Sequence, residues 1–228
     1  MLAIVGAQVA LAPRHRHHVR PLSVSLRVLC LILPLALSLG GCAGRTPLPH
    51  AGSRRPLALT LPHEGDHITD VRVYYAIPIL QKSFFWDGNS EVDSAGLRIR
   101  QLWQVENDVA LGVGLAATNW FLGGPDVQSI EAEGVGRAYV YRSDDDSYGV
   151  FCDVTGGFQQ ATDSIPPGGT EWNFTFSFGP GVVVPLQRAL DLQTGLTYHH
   201  ISNALGRDSP RNPSQNEAQL WIGLAFRF

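Results

Sequence analysis

The sequence contains little charge and almost no lysine. Lys82 is the only lysine among the 228 residues, and Asp, Glu, Lys and Arg together make up 16% of them. A soluble globular domain usually has about 25% charged residues. A chain with so few basic residues and a formal net charge of −3 does not indicate a nucleic-acid-binding protein. Its length suits one domain, or one membrane barrel, together with processing segments.

Cysteine is scarce as well. Cys30, Cys42 and Cys152 are the only three cysteines in the chain. Cys30 falls within an apolar N-terminal run that we expect to be removed, and Cys42 comes at the end of that run. Only Cys152 would then remain beside Cys42, so a disulfide framework is excluded within the mature chain.

The N-terminal segment has the features of an export signal. Residues 1–27 contain four arginines and no acidic residue, and the apolar run VLCLILPLALSLGGC follows. This run is too short to remain as a spanning helix, and it ends in small residues, as secretory signals do. Its last residues, Leu39-Gly40-Gly41-Cys42, resemble a bacterial lipobox, in which the cysteine becomes the lipidated N-terminus. The alternative is an ordinary signal peptide whose cleavage site contains a cysteine.

The sequence therefore predicts three segments. Residues 1–41 are expected to be a lipoprotein-type signal peptide, residues 42–66 the lipidated Cys42 with a periplasmic tether rich in Pro, Gly and Arg, and residues 67–228 the folded part. Ala43 follows the cysteine in place of the Asp that typically retains lipoproteins at the inner membrane, which favours the outer membrane. Removing the four arginines of residues 1–41 leaves 13 basic against 20 acidic residues, a net charge of −7 with His neutral. Such an acidic chain would have to bind an anionic lipid through local residues.

From residue 67 onward the sequence lacks the period of an amphipathic helix and alternates with period two. Bulky apolar residues fall on one face of each segment, and small or polar residues fall on the other. This pattern indicates strands with lipid outside and a narrow barrel lumen inside, whereas a soluble β-sandwich, the alternative, would carry charge on its outward face. A strand that ends the chain on Phe also resembles the C-terminal signature of bacterial outer-membrane barrels. The clearest apolar faces are Trp172, Phe174, Phe176 and Phe178, and Leu220, Ile222, Leu224, Phe226 and Phe228.

The number and spacing of the segments predict an all-β fold, an eight-stranded antiparallel transmembrane barrel of the outer membrane. Each segment has about ten residues or more, enough to cross a bilayer at a tilt. Short and longer connections alternate, which places both termini in the periplasm and agrees with a lipid anchor on Cys42. The predicted strands are 67–78, 92–106, 108–121, 129–142, 147–157, 171–184, 189–202 and 215–228.

A polar cluster, YHHISNALGRDSPRNPSQN at 198–216, follows the seventh predicted strand. Counting by twos from the apolar residues of that strand puts His200 and Ser202 on the lipid face and His199 in the lumen. Residues two apart on one face lie about 6–7 Å apart at their Cα atoms, so an imidazole can reach a serine hydroxyl. That is the pair an acyl-transfer nucleophile needs. The alternative is a pair of polar residues tolerated at the membrane interface.

The string HISNA, with the aromatic strand before it and NPSQN after it, resembles the lipid A 3-O-deacylases of the PagL type. These are eight-stranded outer-membrane barrels that hydrolyse an ester-linked acyl chain of lipopolysaccharide. The resemblance covers roughly residues 148–228 and is specific in the H-x-S-N motif. It implies that His200 is the general base, that Ser202 is the nucleophile, and that Asn203 helps to hold the oxyanion.

The chain departs from this family at the residue that should orient the histidine. The family's acid follows an Asn-Pro pair as N-P-x-x-E, but here Asn212-Pro213-Ser214-Gln215 is followed by Asn216, with Glu217 one place later. The last strand faces lipid with its even-numbered residues, so we expect Asn216 beside His200 and Glu217 in the lumen. A bulge at the start of the strand would bring Glu217 to the histidine instead.

This departure leaves three outcomes open for the site. In a serine triad, replacing the acid by its amide costs about 10⁴ in kcat, mostly because the wrong tautomer is held. The chain is therefore a slow enzyme, an enzyme that recruits Glu217, or a barrel without activity.

The resemblance implies a carboxylic ester hydrolase that acts on lipid A and requires no metal or other cofactor. Its expected partners are lipopolysaccharide and outer-membrane lipid, with a homodimer left open and nucleic acid not expected. One alternative is a non-catalytic barrel lipoprotein that binds lipid or has a structural role. A small pore is disfavoured, because side chains about fill the interior of an eight-stranded barrel.

Overall fold

The residues that the structure describes form a closed, antiparallel, eight-stranded β-barrel, which confirms the predicted fold class. The computed structural model describes residues 59–79, 92–205 and 213–228. Each strand pairs with its neighbours in sequence, and the first pairs with the last. None of the residues in these three ranges belongs to a helix long and apolar enough to cross a membrane. The strands are β1 His67–Pro78, β2 Asp93–Glu106, β3 Val109–Phe121, β4 Val127–Arg142, β5 Gly149–Ala161, β6 Trp172–Gln187, β7 Leu190–Ser202 and β8 Gln215–Arg227.

The strand ends differ most from the prediction at β5 and β6. Strand β5 continues to Ala161 because Gln159, which looks like a loop residue in the sequence, is buried in the polar lumen. Strand β6 continues to Gln187 through an irregularity in its pairing with β7 between Pro185 and Gln187. Proline has no N–H to donate and is found in sheets at such irregular positions, so the strand continues past it.

The two ends of the barrel are built differently. At one end, called the turn end, residues 107–108, 143–148 and 188–189 connect the strands. At the other, called the loop end, the connections are 79–92, 122–126, 162–171 and 203–214. The C-terminal Phe228 donates its N–H to His67 O at 2.9 Å, so the end of the chain lies beside the start of β1 at the turn end.

Most side chains on the outside of the barrel are apolar, whereas the lumen holds many buried polar side chains together with small apolar clusters. On β6, Phe174 is 52% exposed, whereas the adjacent Asn173 is 1% exposed. On β8, Leu220 is 66% exposed and Gln219 is 1% exposed. This is the alternation that the sequence predicts for strands with lipid on one side.

A network of ion pairs occupies the centre of the lumen. Asp153 accepts hydrogen bonds from Arg137 at 2.7 and 3.0 Å, from Arg72 at 3.0 Å and from Arg100 at 2.9 Å. Arg137 also reaches Asp70 at 3.2 Å, and each of these side chains is almost fully buried. Buried charges cost several kcal/mol each unless they are paired, so removing one member of the network would leave its partners uncompensated in the interior.

Two glycines make room for large side chains in this narrow interior. A Cβ on Gly195 would lie 2.5 Å from Cζ2 of Trp221, and a Cβ on Gly223 would lie 2.8 Å from Cγ of Arg72. The Trp221 ring in turn lies under the Arg72 guanidinium, 3.8 Å from ring centroid to Cζ. Small and large lumen residues therefore complement one another across strands.

Part of the predicted tether packs against the barrel, so the folded part begins before residue 67. Leu61 is fully buried in an apolar cluster that includes Tyr139, Phe151 and Val183. Arg142 donates to Pro62 O at 2.9 Å, which fixes this segment at the turn end. The predicted signal peptide, Cys42 and the rest of the predicted tether up to residue 58 lie outside the described residues.

Removing the central carboxylate of the ion network should strongly destabilise the barrel. We expect Asp153→Ala to lower the free energy of unfolding by about 3–5 kcal/mol, because it leaves three arginines without a shared acceptor. The measurement is urea unfolding of the protein folded into lipid vesicles. Asp144→Ala, in the exposed turn, is the matched control and should change the free energy by less than about 0.5 kcal/mol. Equal effects of the two variants would contradict the prediction.

Leucines at 59 and 61 provide a paired test of the packing before β1. Leu61 is fully buried and Leu59 is 43% exposed. We expect Leu61→Ala to lower the free energy of unfolding by about 2–5 kcal/mol, because a cavity remains in the cluster. Leu59→Ala should change it by no more than about 0.5 kcal/mol. The same urea titration measures both variants. An unchanged free energy of unfolding in Leu61→Ala would mean that the segment contacts the barrel without contributing to its stability.

Candidate active site at the loop end of β7

The register between β7 and β8 decides which residues meet at the polar cluster. Pairing runs without a break from Leu190 opposite Phe226 to Ile201 opposite Gln215. Within it, His200 lies opposite Asn216, and His199 lies opposite Glu217. Because there is no bulge here, the two pairs point to opposite sides of the barrel wall, His200 with Asn216 outward and His199 with Glu217 into the lumen.

A hydrogen-bonded chain of three side chains forms on the outward face. Asn216 Oδ1 lies 2.8 Å from His200 Nδ1 and also accepts a hydrogen bond from the Tyr198 hydroxyl at 2.7 Å. His200 is 4% exposed and Asn216 is 1% exposed, although both lie on the outer face. Shielding from water makes such hydrogen bonds stronger and their loss more costly.

This geometry fixes the tautomer of His200. An amide oxygen can only accept, so His200 Nδ1 carries the proton that it shares with Asn216 Oδ1. The basic nitrogen of the neutral ring is then Nε2. This is the arrangement of a general base in a nucleophile–histidine pair, with the orienting group at Nδ1 and the proton acceptor at Nε2.

Ser202 lies at the last position of β7, on the same face as His200 and two residues from it. It is partly exposed, and it lies opposite Phe174 of β6. No hydrogen bond joins Ser202 to His200 within the ranges that the structure describes. In catalytic pairs this bond is often long or absent until a substrate is bound.

The backbone bends sharply directly after Ser202. Asn203 is 2% exposed, and its Oδ1 accepts the Leu205 N–H at 3.2 Å. Ala204, between them, has a φ of 58°, a left-handed conformation that non-glycine residues seldom adopt. The bond to Leu205 identifies the oxygen of the Asn203 amide, so its NH2 group is the end that can donate.

Glu217 belongs to a separate cluster in the lumen. Its Oε2 lies 3.0 Å from His199 Nδ1, and its Oε1 accepts from Gln215 Nε2 at 2.6 Å. Glu131 lies on the other side of the same histidine, with Oε1 3.9 Å from Nε2. The alternative in which a bulge brings Glu217 to His200 is therefore wrong for this register.

The sequence predicts the outward pair and misses the contact of Tyr198. Counting by twos puts Tyr198 on the same face as His200, but strand parity gives only the face, not the diagonal reach to Asn216. Aromatic side chains can span such diagonal positions, so the sequence contained a usable signal. Asn212, predicted to begin the Asn-Pro turn, lies outside the described residues.

Comparison with known proteins identifies the fold. No protein-family model matches the sequence, and no curated protein sequence matches it significantly. Among solved structures, Neisserial surface protein A (NspA) is similar with a TM-score of 0.53 and 13% identity, over 72% of this chain and 100% of NspA.

Two further structures give lower scores. OprG, an outer membrane protein from Pseudomonas aeruginosa, has a TM-score of 0.47 and 10% identity over 73% of this chain and 97% of OprG. The outer membrane enzyme PagL has a TM-score of 0.46 and 19% identity over 67% of this chain and 97% of PagL. At these identities the likeness concerns the fold alone. The chain has the fold of the eight-stranded outer-membrane β-barrels.

Proposed function

We propose that this protein is an outer-membrane serine esterase that hydrolyses an ester-linked acyl chain of lipid A in lipopolysaccharide. The observation that carries the proposal is the hydrogen bond between His200 Nδ1 and Asn216 Oδ1, two residues from Ser202 on the lipid face. It leaves Nε2 as the basic nitrogen of the ring, as base catalysis of a serine attack requires. The H-x-S-N motif of the deacylase family gives the substrate class.

The proposed reaction begins with attack of Ser202 Oγ on the ester carbonyl carbon. His200 Nε2 takes the hydroxyl proton as the new C–O bond forms. The Asn203 NH2 group and nearby backbone amides would stabilise the negative oxygen. The bond to the sugar oxygen then breaks, His200 returns the proton to that oxygen, and water hydrolyses the acyl-enzyme.

The position of the site suits a substrate that stays in the membrane. His200 and Ser202 lie on the outer face at the loop end, beside the aromatic residues of β6. An acyl chain could therefore reach Ser202 from the lipid without entering the lumen. In the proposed orientation the loop end is external and the turn end periplasmic, so a lipid on Cys42 would anchor the chain in the inner leaflet.

A second candidate is a non-catalytic barrel that binds lipid or has a structural role. The observation that favours it is the amide at position 216, which can position His200 but cannot stabilise the imidazolium by charge. The two candidates differ in one measurable property, the release of fatty acid.

Replacing the proposed nucleophile should abolish hydrolysis. We expect purified protein mixed with lipopolysaccharide to release fatty acid, detected by mass spectrometry, and Ser202→Ala to lower the rate by at least about 10³. Thr194→Val is the matched control, because Thr194 is an exposed hydroxyl residue on the same face of β7. It should retain the rate within about twofold. No release by the unmodified protein, or equal release by Ser202→Ala, would exclude the esterase.

Placing a carboxylate beside His200 should accelerate the reaction. We expect Asn216→Asp to raise kcat by about tenfold or more, because a negative charge at Nδ1 stabilises the imidazolium that forms when Ser202 is deprotonated. Tenfold corresponds to about 1.4 kcal/mol. Glu217→Gln is the control in the lumen and should leave kcat within about threefold in protein that folds. Loss of activity in Glu217→Gln, together with an unchanged kcat in Asn216→Asp, would contradict the prediction. It would mean that Glu217, not Asn216, orients His200.

A further inference from the structure

We propose that Tyr198 is a positioning residue of this site. Its hydroxyl keeps the Asn216 amide oxygen turned toward His200 and so keeps the imidazole in the tautomer whose Nε2 accepts a proton. The catalytic consequence rests on the proposed function, whereas the tautomer is a property of the folded protein and can be measured without activity.

Neighbouring strands hold the Tyr198 ring in place. Tyr198 lies opposite Ala218 on β8, and Asn216 is the next outward residue along that strand. The small alanine side chain leaves the phenol a path along the barrel wall to Asn216. On the other side, the Phe178 ring packs against Tyr198 with 5.2 Å between ring centroids. The hydroxyl is thereby directed at Asn216 Oδ1, at 2.7 Å.

An asparagine beside His200 must be held in one orientation of its amide group, whereas a carboxylate would work in either orientation. The two ends of its amide are alike in size but opposite in hydrogen bonding. With the NH2 group turned to His200, Nδ1 would have to accept, the ring proton would move to Nε2, and the ring could not take a proton from Ser202. A carboxylate offers two equivalent oxygens and holds the correct tautomer either way.

The Tyr198 hydroxyl favours the productive orientation because a phenol hydroxyl donates more strongly than it accepts, and in that orientation it donates to Oδ1. In that orientation the one oxygen accepts both from the phenol and from His200 Nδ1. One ordinary hydrogen bond is enough to favour this orientation of the Asn216 amide over the flipped one by about tenfold. Position 216 and position 198 are therefore coupled: the phenol matters because residue 216 is an amide.

The first test measures the tautomer of His200 directly. Protein with ¹⁵N-labelled histidine is folded in detergent micelles, and the His200 ring signals are assigned with His200→Gln. In neutral rings we expect the Nδ1-protonated form in the unmodified protein and a several-fold larger share of the Nε2-protonated form in Tyr198→Phe. Tyr75→Phe is the matched control, since it removes another outward hydroxyl, bonded to Asp93 at 2.9 Å, away from the site. An unchanged tautomer in Tyr198→Phe would overturn the inference.

The second test separates orientation from packing through kinetics. We expect Tyr198→Phe to lower kcat by about tenfold with KM within twofold, and to lower it less than twofold when Asn216→Asp is also present. Equal losses in both backgrounds would mean that Tyr198 acts through packing alone and would overturn the inference. If no variant releases fatty acid, the esterase proposal fails, and the tautomer measurement still decides the role of Tyr198.

Discussion

Continuous strand pairing around the closed barrel decides where each side chain of this protein can act. Since β1 pairs with β8, the barrel has no free edge along which a strand could slide or turn over. A slip by one residue would exchange the outer and inner faces of a whole strand. The position of His200 on the lipid face and of His199 in the lumen is thus a consequence of the same ladder that holds the barrel together.

The charges in the lumen reinforce this register. Asp70, Arg137 and Asp153 come from three different strands and meet in one buried network. If any of these strands shifted by one residue, a charged side chain would face lipid and its partners would be left unpaired in the interior. Both changes are costly, so the ion network selects one register although its pairs add little net stability. The fixed register then determines that His200 and Asn216 meet on the outer face.

The sequence could predict the barrel, the lipid face and the pairing of His200 with Asn216, because all three depend only on period-two alternation and strand order. It could not predict that Leu61 packs into the turn end, because a single leucine in a Pro-rich segment has no period. The end of β5 was missed for a related reason, since Gln159 is polar yet buried. The Tyr198 contact depends on side-chain reach across strands, which alternation does not describe.

The neighbouring positions 216 and 217 cannot exchange roles. Glu217 faces His199, and Gln215 and Gln219 also donate to its carboxylate. Moving the acid to position 216 at the expense of 217 would give His200 a charged partner but would leave His199 beside Glu131 without its nearer carboxylate. Such a buried group without its partner destabilises the fold. An acid at position 216 would therefore have to be added while Glu217 stays. In this chain position 216 carries an amide instead, and the Tyr198 hydroxyl holds that amide in place.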